Sequence, residues 1–163
     1  MSNLEMTVEA LKRCVDPAQF ALAMQEVSAG PVTVSQKTAQ MSVNDINREI
    51  RKLMTELGFP PHLKGHRCAV TAIRLAVENE DALDAIVKEL YPAVAEVLGT
   101  TASRVERAIW HGVECVWDRG DLDVLNHYFG NTVSIHKGKP TNSEFLATCA
   151  GIIRERLEDR DVQ

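Results

Sequence analysis

From Ser42 onward the chain repeats one pattern, apolar side chains at three- and four-residue steps with polar ones between them. Ile46, Ile50, Leu53, Met54 and Leu57 share one side of a helical wheel, and Gly58 with Pro60-Pro61 ends that run. Lys64 to Glu78 repeats it, with Cys68, Ala72, Leu75 and Ala76 inward. A third helix is expected from about Asp81, burying Leu83, Ile86, Val87 and Leu90. Pro92 suits the first turn of a helix and not its interior, so a new short helix runs from Tyr91 to Leu98. Gly99 stops it, and Thr100-Thr101 offers an N-cap for a helix of about seventeen residues, roughly 25 Å long. Along that helix Val105, Ile109, Gly112, Val113 and Val116 fall on one arc, while Ser103, Arg104, Arg107, Trp110, His111 and Glu114 fall on the opposite one. Asp121 begins a further short helix, and Thr132 to Pro140 reads as an irregular basic loop carrying His136, Lys137 and Lys139. Thr141 with Glu144 three residues on is a capping box that opens the last helix.

Upstream, Val8, Leu11 and Val15 have helical spacing, and Asp16-Pro17 opens a second short helix through Phe20, Ala23, Met24 and Val27. Gly30-Pro31 breaks it, and the polar stretch to Ser42 reads as a linker. The organisation is therefore a short helical segment with a linker over residues 1–42, followed by an all-α domain over residues 43–163.

A short helix, a tight glycine turn and a long helix make the layout of a helix-turn-helix, whose second helix enters the DNA major groove. Ala95, four residues before Gly99, is small enough for the two helices to cross closely. Arg104 and Arg107 stand in the first turns of the long helix, where a guanidinium fork reaches the O6 and N7 of guanine. Glu106 beside them is placed to accept from a cytosine amine. The start of the last helix, with Lys137 and Lys139 just before it, suits a phosphate. An ordinary solvated helix face and a plain cap beside two solvated lysines fit the same spacings.

Composition narrows the choice. Of the 163 residues 45% are apolar, enough for a sizeable core, and only 5% are aromatic, which favours helix over strand. No apolar run approaches a bilayer-spanning length, and the first ten residues lack the basic and apolar regions of a signal peptide, so the expected location is the cytoplasm. Cys14, Cys68, Cys115 and Cys149 form no CxxC pair and read as free thiols. His111 and Cys115 stand four apart, but two ligands do not make a metal site, and neither metal nor cofactor is expected. No nucleophile–base pair gathers in one segment, so an enzyme is not expected either. The net charge is −5, and residues 43–163 hold 15 basic and 19 acidic side chains, or −4. Any nucleic-acid site must then be a local patch, with the acids on other faces.

Five segments stand in specific order: PPHLKG (60–65), LYP (90–92), TTASRVERAI (100–109), FGNTVS (129–134) and KPTNSEF (139–145). Together they resemble the C-terminal effector domain of the Spo0A sporulation regulators, over residues 45–158. The resemblance implies a compact six-helix domain that binds double-stranded DNA and regulates transcription. It implies base contacts from Arg104, Glu106 and Arg107, and backbone contacts from His111, Lys137, Lys139, Thr141, Asn142 and Ser143. It also implies contact with an RNA polymerase sigma factor and homodimeric pairing on tandem sites. Two departures stand out. The family carries an N-terminal phospho-acceptor receiver domain, whereas the roughly 42 residues ahead of the domain here hold no acidic pair, acceptor Asp or strand pattern, so the expectation is a receiver-less regulator. The family usually has a basic residue where this chain has Trp110, an altered contact. The competing expectation is a non-enzymatic protein-interaction module or antagonist derived from that domain, with weak DNA binding. Net acidity and Trp110 support it.

Overall fold

A computed structural model describes residues 42–131 and 138–162. Six α-helices and no strand are found among them: α1 (Val43–Glu56), α2 (Lys64–Glu78), α3 (Tyr91–Leu98), α4 (Ala102–Arg119), α5 (Leu122–Phe129) and α6 (Asn142–Asp161). The helices expected upstream of Ser42 lie outside the described residues, as do His136 and Lys137 of the basic loop.

Four of the six starts carry a side-chain cap. Ser42 Oγ accepts from the Asn44 amide at 3.2 Å to cap α1. Thr101 Oγ1 accepts from the Arg104 amide at the head of α4, and Asp121 from the Asp123 amide at the head of α5. At α6 the capping box is complete. The Thr141 amide donates to Glu144 Oε2 at 2.7 Å, and the Glu144 amide donates to Thr141 Oγ1 at 3.2 Å.

The third predicted helix takes another form. Glu80–Leu83 is a 3-10 turn, and Ile86–Leu90 is a π-helical turn that runs into α3. Pro92 has no amide to donate to Lys88, so the α-helical ladder cannot run unbroken through this stretch. The Leu90 amide reaches the Ala85 carbonyl five residues back. The wider turn shifts the phase of the side chains. Ile86 and Leu90 stay buried, while Val87, expected inside, is 67% exposed.

Helix α2 is the centre of the domain and packs on α1, α3, α4 and α6. Its crossing with α4 is close because two glycines meet there. A Cβ on Gly65 would lie 2.1 Å from the Ala108 carbonyl oxygen, and one on Gly112 would lie 2.2 Å from the Phe59 ring. Phe59, Phe129 and Phe145 fill the core beside this crossing, with the last two rings stacked at 5.5 Å.

Candidate nucleic-acid interface

Helices α3 and α4 form the expected pair. Gly99 adopts the left-handed conformation at φ 65°, and the Thr100 amide bonds back to the Ala95 carbonyl at 2.9 Å. The chain then reverses within two residues to the Thr101 cap. Val105, Ile109, Gly112, Val113 and Val116 are the buried residues of α4, the same five that the periodicity turned inward. Ser103, Arg104, Glu106, Arg107, Trp110 and His111 are exposed. At 18 residues, α4 is about 27 Å long, and its outer face stands as a ridge between two grooves.

The first groove, about 1060 Å³, lies between α4 and the start of α2. Its charged and imidazole side chains are His62, Lys64, Arg67, Arg104, Arg107 and His111, and no carboxylate lines it. Among the described residues none of Lys64, Arg67, Arg104 and Arg107 takes part in an ion pair, whereas Arg74, Lys139, Arg154, Arg156 and Arg160 each do. This strip is therefore locally cationic on a domain of net negative charge.

The sequence reading passed over His62, Lys64 and Arg67. A signal was present: no Asp or Glu occurs from Leu57 to Val77, the longest such stretch in the domain. The same segment supplies the buried face of α2, and of its basic residues Arg74 is buried while Lys64 and Arg67 are exposed along the groove beside α4.

The second groove, about 730 Å³, lies between α4 and the start of α6, and Arg107 and Trp110 line both. Val87, Tyr91, Ser103, Glu106 and residues 139–143 complete it. Asn142 is turned inward here. Its Nδ2 donates to the Tyr91 hydroxyl at 3.2 Å and to the Glu106 carbonyl at 3.0 Å, tying α6 to both helices of the pair. Burial pushes the Tyr91 phenol above its ordinary value, and the Asn142 bond offsets this only in part, so the hydroxyl stays protonated. Thr141 is committed to its capping box, while Ser143 is exposed on the same rim.

Lys139 is not a free cation. Its Nζ is 2.5 Å from Glu114 Oε1 and 4.7 Å from the centre of the Trp110 ring. Trp110 itself is 48% exposed. His111 Nε2 lies 3.9 Å from Cys115 Sγ, and no cluster of three or more metal-ligating side chains occurs among the described residues. No described helix is long and apolar enough to cross a membrane.

Six packed helices, a glycine-turned helix pair and a cationic groove along the second helix of that pair define a helix-turn-helix domain. The family model described as sporulation initiation factor Spo0A, C-terminal, matches residues 50–153, and the chain belongs to that family. The family is one of DNA-binding, transcription-regulating domains of sporulation, and not of enzymes.

Proposed function

We propose that this chain is a sequence-specific DNA-binding regulator of sporulation-type transcription, with residues 43–163 as its DNA-binding unit. Helix α4 enters the major groove, Arg104 and Arg107 read guanine edges, and Glu106 reads a cytosine amine. The phosphate strands run along the two flanking grooves. His111, Lys64 and Arg67 serve one strand. Lys137 and the start of α6 at Thr141 and Ser143 serve the other, while Lys139 is held by Glu114 and Asn142 ties α6 to the helix pair.

The observation that carries this reading is the first groove, with four Lys and Arg side chains that have no ion-pair partner among the described residues and no carboxylate lining it, in a domain with four more acids than bases. Overall repulsion from DNA is met by one concentrated attractive strip. From the family the reading also takes pairing of two copies on tandem sites and contact with a sigma factor. Leu122, 68% exposed at the start of α5 and outside both grooves, is an apolar surface open to such contacts.

The test is fluorescence anisotropy with a family-type box and a scrambled duplex, each titrated at several salt concentrations. Wild type is expected to prefer the box, with affinity falling steeply as salt rises. Lys64→Ala with Arg67→Ala is expected to weaken both duplexes alike and flatten the slope by about two phosphates' worth, roughly 1.8. Binding to neither duplex would overturn the reading in favour of a protein-interaction module.

A further inference from the structure

Lys139 stands at the mouth of the second groove, where a cation would be expected to take a DNA phosphate. Glu114 already occupies it. The two side chains come from α4 and from the segment ahead of α6, 25 residues apart, and meet at 2.5 Å. They are 37% and 31% exposed, so water and salt screen the pair less than a fully exposed one. The Trp110 ring lies under the same ammonium at 4.7 Å and fixes its position from a second side. Glu114 continues the outward stripe of Arg107 and Trp110 along α4, so its carboxylate lies on the face proposed for DNA.

We propose that Glu114 is a built-in competitor for DNA phosphate, holding Lys139 so that this lysine adds almost nothing to sequence-independent binding. The inference rests on the reading that α4 faces DNA. If Lys139 stays with Glu114, its charge is already neutralised. If it moves to a phosphate, the freed carboxylate takes up a counterion in place of the one that the phosphate releases. In either arrangement the pair releases close to no counterions. Discrimination is thereby left to Arg104, Glu106 and Arg107, and random DNA is held less tightly than the number of basic side chains suggests. Trp110 is a positioning residue in this arrangement, because an indole attracts the ammonium where a basic residue would repel it.

The test is a double-mutant cycle of Glu114→Gln and Lys139→Ala in the full chain, titrated on a random duplex across salt concentrations. Glu114→Gln is expected to steepen the salt slope by about 0.9 and to tighten binding roughly fivefold at 0.15 M salt, which is that slope carried down from 1 M. Lys139→Ala alone is expected to leave the slope nearly unchanged. The double mutant should match Lys139→Ala. If Glu114→Gln tightens binding equally with and without Lys139, or not at all, the competitor role is wrong. Arg107→Ala on a family-type box is run beside the cycle. Loss of box preference there while the cycle fails sinks only the Glu114 inference. No effect of Arg107→Ala sinks the reading beneath it.

Discussion

Arg107 is the side chain with the most riding on it, since it lines both grooves and stands in the second turn of α4. It has no ion-pair partner among the described residues, so nothing within the fold has to be broken before its guanidinium meets a base. Arg107→Ala is expected to remove about 1–3 kcal/mol of specific binding and to relax preference at one base position, read by competition with single-site variants of the box. Unchanged preference would remove Arg107 from the base-reading set. Trp110 makes the opposite kind of prediction. Trp110→Arg adds a cation to the exposed stripe and removes the ring beneath Lys139. It is expected to tighten random-duplex binding and steepen its salt slope by about 0.9, and an equal slope would mean that position 110 does not face DNA.

At the scale of elements, the glycine crossing of α2 and α4 holds α4 at its height above the core. Gly65→Ala pushes a methyl group into the Ala108 carbonyl and is expected to destabilise the domain by about 1–3 kcal/mol in urea unfolding. A midpoint equal to wild type would mean the two helices can separate freely. The α6 cap has a separate role, because it carries the Asn142 tie to Tyr91 and Glu106. Thr141→Ala is expected to cost about 0.5–2 kcal/mol of stability, again read as a shift in urea midpoint with unchanged m-value. The faces of α1, α2 and α4 were legible in the sequence because each is a long, strongly periodic helix with a clear stop. Val87 was not, since the period of 3.6 assumes an α-helix and the π-helical turn ahead of Pro92 breaks it. The basic wall of the first groove and the Glu114–Lys139 pair were missed for a different reason. Both are juxtapositions of separate elements: the acid-free run from Leu57 to Val77 marks the basic residues of the wall but not what they face, and the spacing within one helix carries no trace of the pair.

Across the described residues as a whole, a group of ion pairs gathers on a face away from the two grooves. On the side formed by α1, α5 and α6, Glu49 is buried and is paired with Lys52 and Arg160, while Glu56 binds Arg156 and Tyr128. Burial pushes the Glu56 carboxyl up, but the hydrogen bonds from Arg156 and Tyr128 and the charges of Arg156 and Lys52 outweigh it. The net shift is downward. Beside the core, burial first and the Arg51 charge second hold His66 below the ordinary imidazole value. Both shifts have the same sign in linkage. Below about pH 6.5 the unfolded chain takes a proton on His66 that the folded domain declines, so this contribution is complete above that pH and is lost as pH falls through the lowered folded value. Glu56 repeats the effect in the window beneath its ordinary value of 4.5. His66→Gln is therefore expected to flatten the decline of urea midpoint between about pH 7 and pH 5. An unchanged decline would assign it to other groups.

The central claim, that the outer face of α4 and the two grooves beside it receive DNA, is tested most directly by amide chemical-shift mapping. The isotope-labelled chain is titrated with a short duplex carrying a family-type box. The shifts are expected to cluster from Ser103 to Glu114, at the start of α2 around Lys64 and Arg67, and at the start of α6. Shifts gathered instead on α5 or on the Glu49–Arg156 face, with Arg104 to His111 unmoved, would contradict the account.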